Sequence, residues 1–125
     1  MAAATKTPKP QSKPKPKKKE PWARGIKRPE QCKNLLDVRA AIDAYDDLLL
    51  PLLAQRLKLV MSAARFKPSV KGVVKKDRVE EIVVRVRKAA AALGVSVDCF
   101  EYTYRHLIAA YTREEQRNWP RIHKR

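Results

Sequence analysis

From Asn34 onward, apolar side chains recur at alternating steps of four and three: Val38, Ile42, Tyr45, Leu49, Leu52, Leu59 and Ala63. Arg56 fills the gap between Leu52 and Leu59. This spacing lines one face of a long helix. Asn34 reads as its N-cap, with Asp37 in the first turn. Lys67 precedes Pro68, where a helix should stop. Pro51 lies inside the stretch and removes one backbone donor, so it should kink or divide the helix. The apolar phase continues across it, and one bent helix is expected. Residues 68–76, PSVKGVVKK, read as a loop. Asp77 then reads as the N-cap of a second helix with the stripe Val79, Ile82, Val83, Val86, Ala90 and Leu93, closed by Gly94. Ser96 can cap a third helix, with Asp98 in its first turn and the stripe Phe100, Tyr104, Ile108, Tyr111. Pro120 is expected to end it, leaving RIHKR as a frayed end. No alternating strand pattern with turn signals is present, so the fold class is all-α.

The 125 residues suggest one domain, with a core modest enough that self-association would help it. Residues 1–20 are Lys/Pro-rich and cannot bury enough apolar surface to offset their ordering entropy. A disordered tail over 1–28 is expected, then a helical domain over 29–120 and frayed residues 121–125. The formal charge is +16, and residues 1–31 carry ten Lys and Arg against Glu20 and Glu30, half of that excess. Such a tail is expected to bind polyanions weakly, or to serve only as a solubilising extension. The remainder is also basic, and a basic chain attracts phosphates, acidic lipid or a small carboxylate alike. There is no signal-peptide pattern and no long apolar run, so no membrane association is expected. Cys32 and Cys99 lie far apart without metal-ligand spacing, which points to reduced thiols in a cytoplasmic protein.

Two charges sit where ordinary helices place apolar groups. Arg56 interrupts the first stripe, and Glu115 is the next position in phase after Tyr111. Buried charges need partners, because desolvation is costly. They either pair with each other, reach solvent by snorkelling, or line a closed pocket for a charged ligand. No phosphate-cradling Gly-rich loop, nucleophile elbow or metal-spaced Cys/His cluster is found, and no cofactor or metal is expected. His106 reads as a helix-surface residue and His123 as part of the frayed end. Asp43, Asp46 and Asp47 are close together, but on a helix face such groups more often pair with nearby Lys or Arg than hold a cation.

The segments CKNLLDVRAAIDAYDDLLLPLLAQR, AARFK, DRV and YTREEQRNW, in that order and spacing, resemble the all-helical chorismate mutases. The lead-in PEQC followed by LLDVRAAID is most similar to their relatives, the isochorismate pyruvate-lyases that make salicylate. The resemblance covers about three quarters of the chain. It implies an intertwined homodimer of three-helix protomers whose long first helix crosses into the partner. Carried over by position, Arg39 is the arginine donated by the partner protomer. Arg56 would bind a substrate carboxylate, Lys67 the ether oxygen and a carboxylate, and Arg78 the remaining anionic part. Without the resemblance, Arg39, Lys67 and Arg78 read equally well as surface charges.

Two positions depart from the family pattern. The family usually has Gln, sometimes Glu, at the place matched by Glu115, where it contacts the ether oxygen. A one-residue shift would select Gln116 but breaks the stripe. A carboxyl group donates to that oxygen only when protonated, so activity is expected to decline towards alkaline pH and Glu115→Gln to flatten the decline. Typical mutases have Glu directly after the loop arginine, whereas this chain has Val79, as in the lyase-like relatives.

The resemblance implies a pericyclic reaction on chorismate, giving prephenate in the shikimate pathway. The alternative is the release of pyruvate and salicylate from isochorismate. Neither needs a nucleophile or a proton shuttle. A competing class is a nucleic-acid-binding helical protein with a basic tail, although no helix-turn-helix is recognisable. A third reading is a family-like chain that has lost activity and serves as a binding module.

Overall fold

The computed structural model describes residues 20–70 and 75–123. Three helices carry the chain: α1 (Leu35–Ala64), α2 (Lys76–Leu93) and α3 (Val97–Ile122), with no strand among the described residues. The expected tail residues 1–19 lie outside the described residues. Backbone contacts divide the chain into two units, residues 1–48 and 49–125.

In the first unit, the Asn34 side chain accepts from the Asp37 N–H at 2.9 Å, and Asp37 accepts in return from the Lys33 N–H at 3.0 Å. These bonds satisfy backbone donors that a helix start leaves open. The Lys33 amide, then the Lys27 ammonium, hold the Asp37 carboxyl below its usual range. Residues 20–28, within the expected tail, are described and contain a turn of 3-10 helix at Pro21–Ala23. Ala23 and Ile26 are buried there, and the Trp22 ring stands edge-on to Tyr45 with centroids 6.0 Å apart.

α1 is one helix with Pro51 inside it. Leu36, Ile42, Leu50, Leu52 and Leu59 on this helix are all more than half exposed. In the second unit, Ile82, Val83, Val86 and Ala90 of α2 form the buried core. The part-buried Phe100, Tyr104 and Ile108 of α3 continue that apolar stripe. Gly94 ends α2 in the left-handed region, at φ 71°, a conformation glycine adopts without a Cβ penalty. The Ser96 hydroxyl accepts from the Cys99 N–H at 3.1 Å and starts α3.

Two helix ends differ from the sequence reading. α2 begins at Lys76 with Lys75 as its N-cap, so Asp77 lies in the first turn, where a carboxylate favours the helix dipole. α3 runs through Pro120 to Ile122. Its stripe continues in four-residue steps from Tyr111 and Glu115 to Trp119 and His123. His123 is not frayed: its Nε2 lies 3.1 Å from the Ala64 carbonyl oxygen, and its ring centroid is 4.0 Å from that of Trp119. That packing on α1 holds the last turn despite the missing proline N–H.

An ion-pair network ties α2 to α3. Arg105 donates to both oxygens of Glu80, at 2.9 and 3.1 Å, and to Glu101 at 3.0 Å, while Arg87 donates to Glu101 at 2.7 Å. Arg105 lowers the Glu80 carboxyl below its usual value, and Arg105 followed by Arg87 does the same for Glu101. Depressed carboxyl values mean that the network's stabilisation is complete above the unfolded glutamate range and is lost as pH falls through the lowered folded values. The urea midpoint should therefore drop between about pH 7 and pH 3, and added salt should shrink the difference, because these groups remain partly open to solvent. A pH-independent midpoint over that range would contradict the role given to the network.

Candidate active site

The second unit encloses a cleft of 430 Å³ whose walls come from all three helices. That volume suits a small organic ligand. Leu59, Val60, Ala63, Val79, Ile82 and Ile108 give it an apolar lining. Into this lining project five cations, Arg56, Lys67, Lys75, Arg78 and Arg85, against one carboxylate, Glu115, among the described residues. Such an imbalance in a partly apolar cavity favours an anionic occupant, since low-dielectric walls strengthen each fixed charge.

Arg56 is placed by the α1 stripe that its own charge interrupts. Its guanidinium carbon lies 5.1 Å from the Tyr111 ring centroid and 5.9 Å from that of Tyr104. The Tyr111 hydroxyl donates to the Leu53 carbonyl oxygen at 2.6 Å, which locks that ring against α1. No carboxylate pairs with Arg56 among the described residues. The cation is thus held by two π faces, with its donors left for a ligand.

Lys67 lies just past the end of α1, in the turn made by Phe66 N–H to Ala63 O at 3.0 Å and Lys67 N–H to Ala64 O at 3.1 Å. Pro68 blocks further helix. The Lys67 ammonium is 2.6 Å from Glu115 Oε1. Glu115 is 2% exposed and is the buried charged residue of the described chain. The two in-stripe charges do not pair with each other: both line the cleft, Glu115 paired with Lys67 and Arg56 against the tyrosines.

Arg78 stands in the first turn of α2, with Val79 beside it in the cleft wall. It pairs with Glu81 at 2.7 Å, and both side chains are more than half exposed. Such a pair is readily exchanged for another anion. Arg39, on α1, is exposed and is not among the lining residues. His106 is exposed, with Nδ1 2.8 Å from the Tyr102 carbonyl oxygen, so it stays a helix-surface residue.

The structure therefore brings Arg56, Lys67, Arg78 and Glu115 to one cavity; Arg39, in the first unit, is not one of its lining residues. Lys75 and Arg85 are lining residues that sequence reasoning missed. Arg85 follows Arg78 by seven residues, two helical turns along the same face, and that phase was the available signal. Among the described residues, no group of His, Cys, Asp and Glu could hold a metal ion. No helix is long and apolar enough to cross a membrane among them either.

The family model for chorismate mutase type II matches residues 38–117, a span that includes α2 and reaches from α1 to Arg117 of α3. The chain belongs to the chorismate mutase type II family. It is also 30% identical over 94 residues to the isochorismate pyruvate lyase of Pseudomonas aeruginosa, a match covering 75% of this chain and 93% of the relative. The chain is accordingly an enzyme of the isomerase or lyase type. The cleft that this family member carries is lined by five cations against one carboxylate among the described residues.

Proposed function

We propose that the chain rearranges chorismate to prephenate in the cleft of α1, α2 and α3, working as a homodimer. The observation that supports this most is the surplus of cations around a part-buried Lys67–Glu115 pair in a chain of this family. Chorismate is a flexible dianion. In the rearrangement its ether C–O bond breaks while a C–C bond forms, and no proton is transferred to or from the protein. Arg56 takes one carboxylate with a bidentate fork, and Arg78 releases Glu81 to take the remaining anionic part. Fixing both ends removes conformational freedom before the reaction. Lys67 donates to the ether oxygen, where negative charge grows as the bond breaks, and so stabilises the transition state more than the ground state. Glu115 accepts from the Lys67 ammonium in the ligand-free cleft and so holds it in place; towards the ether oxygen it could act only as a protonated donor.

The homodimer reading rests on α1. Leu36 and Leu52 are 75% and 67% exposed, and a second copy would cover such side chains. In that dimer Arg39 of one protomer completes the cleft of the other. Sedimentation at micromolar concentration should find twice the chain mass.

A second reading, release of pyruvate and salicylate from isochorismate, is favoured by two observations: the lyase relative and Val79 beside Arg78. Incubating the pure chain separately with chorismate and with isochorismate distinguishes them. Prephenate from chorismate is the expected product. Salicylate from isochorismate alone would move the assignment to the lyase, and turnover of neither would overturn the enzyme reading of the cleft. Removing residues 1–19 tests the polyanion-binding alternative, and it spares the Ala23 and Ile26 packing that a longer deletion would strip. Turnover should survive this deletion, while retention on a heparin column should fall.

A further inference from the structure

α3 grips the end of α1 at three successive four-residue steps, and each step bears on Lys67. The Glu115 carboxylate accepts from the Lys67 ammonium at 2.6 Å. One turn on, the Trp119 indole N–H donates to the Lys67 backbone carbonyl oxygen at 3.1 Å. One turn further, His123 Nε2 lies 3.1 Å from the carbonyl oxygen of Ala64, the last residue of α1. Ala64 is fully buried, and its carbonyl also accepts the Lys67 backbone N–H at 3.1 Å. The Trp119 and His123 rings lie against each other with centroids 4.0 Å apart, so the two bonds share one rigid unit.

We propose that Trp119 and His123 are positioning residues that act through Lys67, a latch that fixes where its ammonium reaches into the cleft. Neither ring is a cleft-lining residue. A lysine past a helix end, followed by proline, has no helical ladder to set its backbone direction. The carbonyls at the end of a helix also need donors from outside it. Trp119 and His123 meet both needs: one donor holds the residue that bears the ammonium, and the other holds the helix end from which that residue departs. Without them, Lys67 keeps its charge and its Glu115 partner, but the backbone that carries it is held less firmly. Small displacements of a group that acts on the reacting atoms weaken the rate far more than they weaken binding. This inference rests on the reading of the cleft as the reaction site, with Lys67 at the reacting oxygen.

The test uses Trp119→Phe, which keeps an aromatic ring but has no N–H, together with His123→Ala and His123→Gln in the full chain. Two quantities are read. The first is the rate at which formaldehyde and cyanoborohydride methylate Lys67 relative to the exposed Lys58, followed by peptide mass spectrometry, which needs no turnover. The second is kcat and KM with chorismate or with isochorismate, whichever the unaltered chain converts. Trp119→Phe and His123→Ala should raise the relative Lys67 methylation several-fold. Both should lower kcat by about tenfold or more, with KM held within about twofold. His123→Gln, which restores a side-chain donor, should recover much of both. Folded variants that leave Lys67 methylation unchanged, or that change methylation while kcat stays within about twofold, overturn the proposal. If Trp119→Phe fails to fold, the two His123 variants decide. If the unaltered chain converts neither substrate, the functional reading falls, and unchanged methylation would then separately remove the latch.

Discussion

Replacing Lys67 with alanine should lower kcat by about 10²–10³-fold, the range typical for losing one donor at a centre of growing negative charge. The same change should loosen the fold. It removes the cation 2.6 Å from Glu115, a residue only 2% exposed, and strands that carboxylate in a poorly solvated place. Breaking a buried ion pair by deleting one partner costs about 3–5 kcal/mol. Lys67 itself keeps 20% side-chain exposure, so the lower end, about 3 kcal/mol, is expected here. The two losses can be separated. Adding Glu115→Gln to Lys67→Ala replaces the stranded charge with a neutral amide and should return part of the stability while returning none of the rate. Urea unfolding and single-turnover kinetics on the three variants read this directly. A Lys67→Ala chain that stays within about tenfold of the unaltered rate would remove Lys67 from the chemistry.

Mixed dimers should regain activity that neither parent has. In the proposed shared cleft, Arg56→Ala would remove the carboxylate fork inside a chain's own cleft, and Arg39→Ala would remove the contribution to the partner's cleft. Each pure variant is therefore expected to lose about 10²-fold or more in kcat/KM. In a dimer of one Arg39→Ala and one Arg56→Ala protomer, one cleft carries both lesions and the other carries neither. Random exchange makes about half of all dimers mixed, so such a mixture should reach about a quarter of the unaltered activity. Activity no higher than either parent, at full exchange shown by mass spectrometry of intact dimers, would contradict a cleft shared between protomers.

The three helices were legible because their apolar phases, caps and stops agree: the Asn34 and Ser96 caps, the Gly94 stop and the unbroken phase across Pro51 all act locally. Arg56 and Glu115 were legible as exceptions, since a charge inside an apolar stripe needs a reason. Their partners were not. Phase shows which face a residue occupies, but it does not show where two helices cross, and Glu115 meets Lys67 across 48 residues of sequence. Lys75 and Arg85 are hidden for other reasons: Lys75 falls in the segment that reads as a loop, and the phase Arg85 shares with Arg78 shows a common helix face but not whether that face meets solvent or the edge of a cavity. The role of His123 is not legible because a proline at 120 marks a helix end in sequence, whereas packing against Ala64 carries α3 beyond it.

The proposed reaction depends most on one dicarboxylate being held by several cations at once. The most direct measurement is a crystal structure of the full chain grown with prephenate. The account requires one carboxylate of the ligand within hydrogen-bonding distance of Arg56, its other anionic groups at Arg78 and Lys67, and Arg39 of a second protomer closing the site. A ligand bound away from Arg56 and Lys67, or a cleft left empty at saturating prephenate, would contradict it.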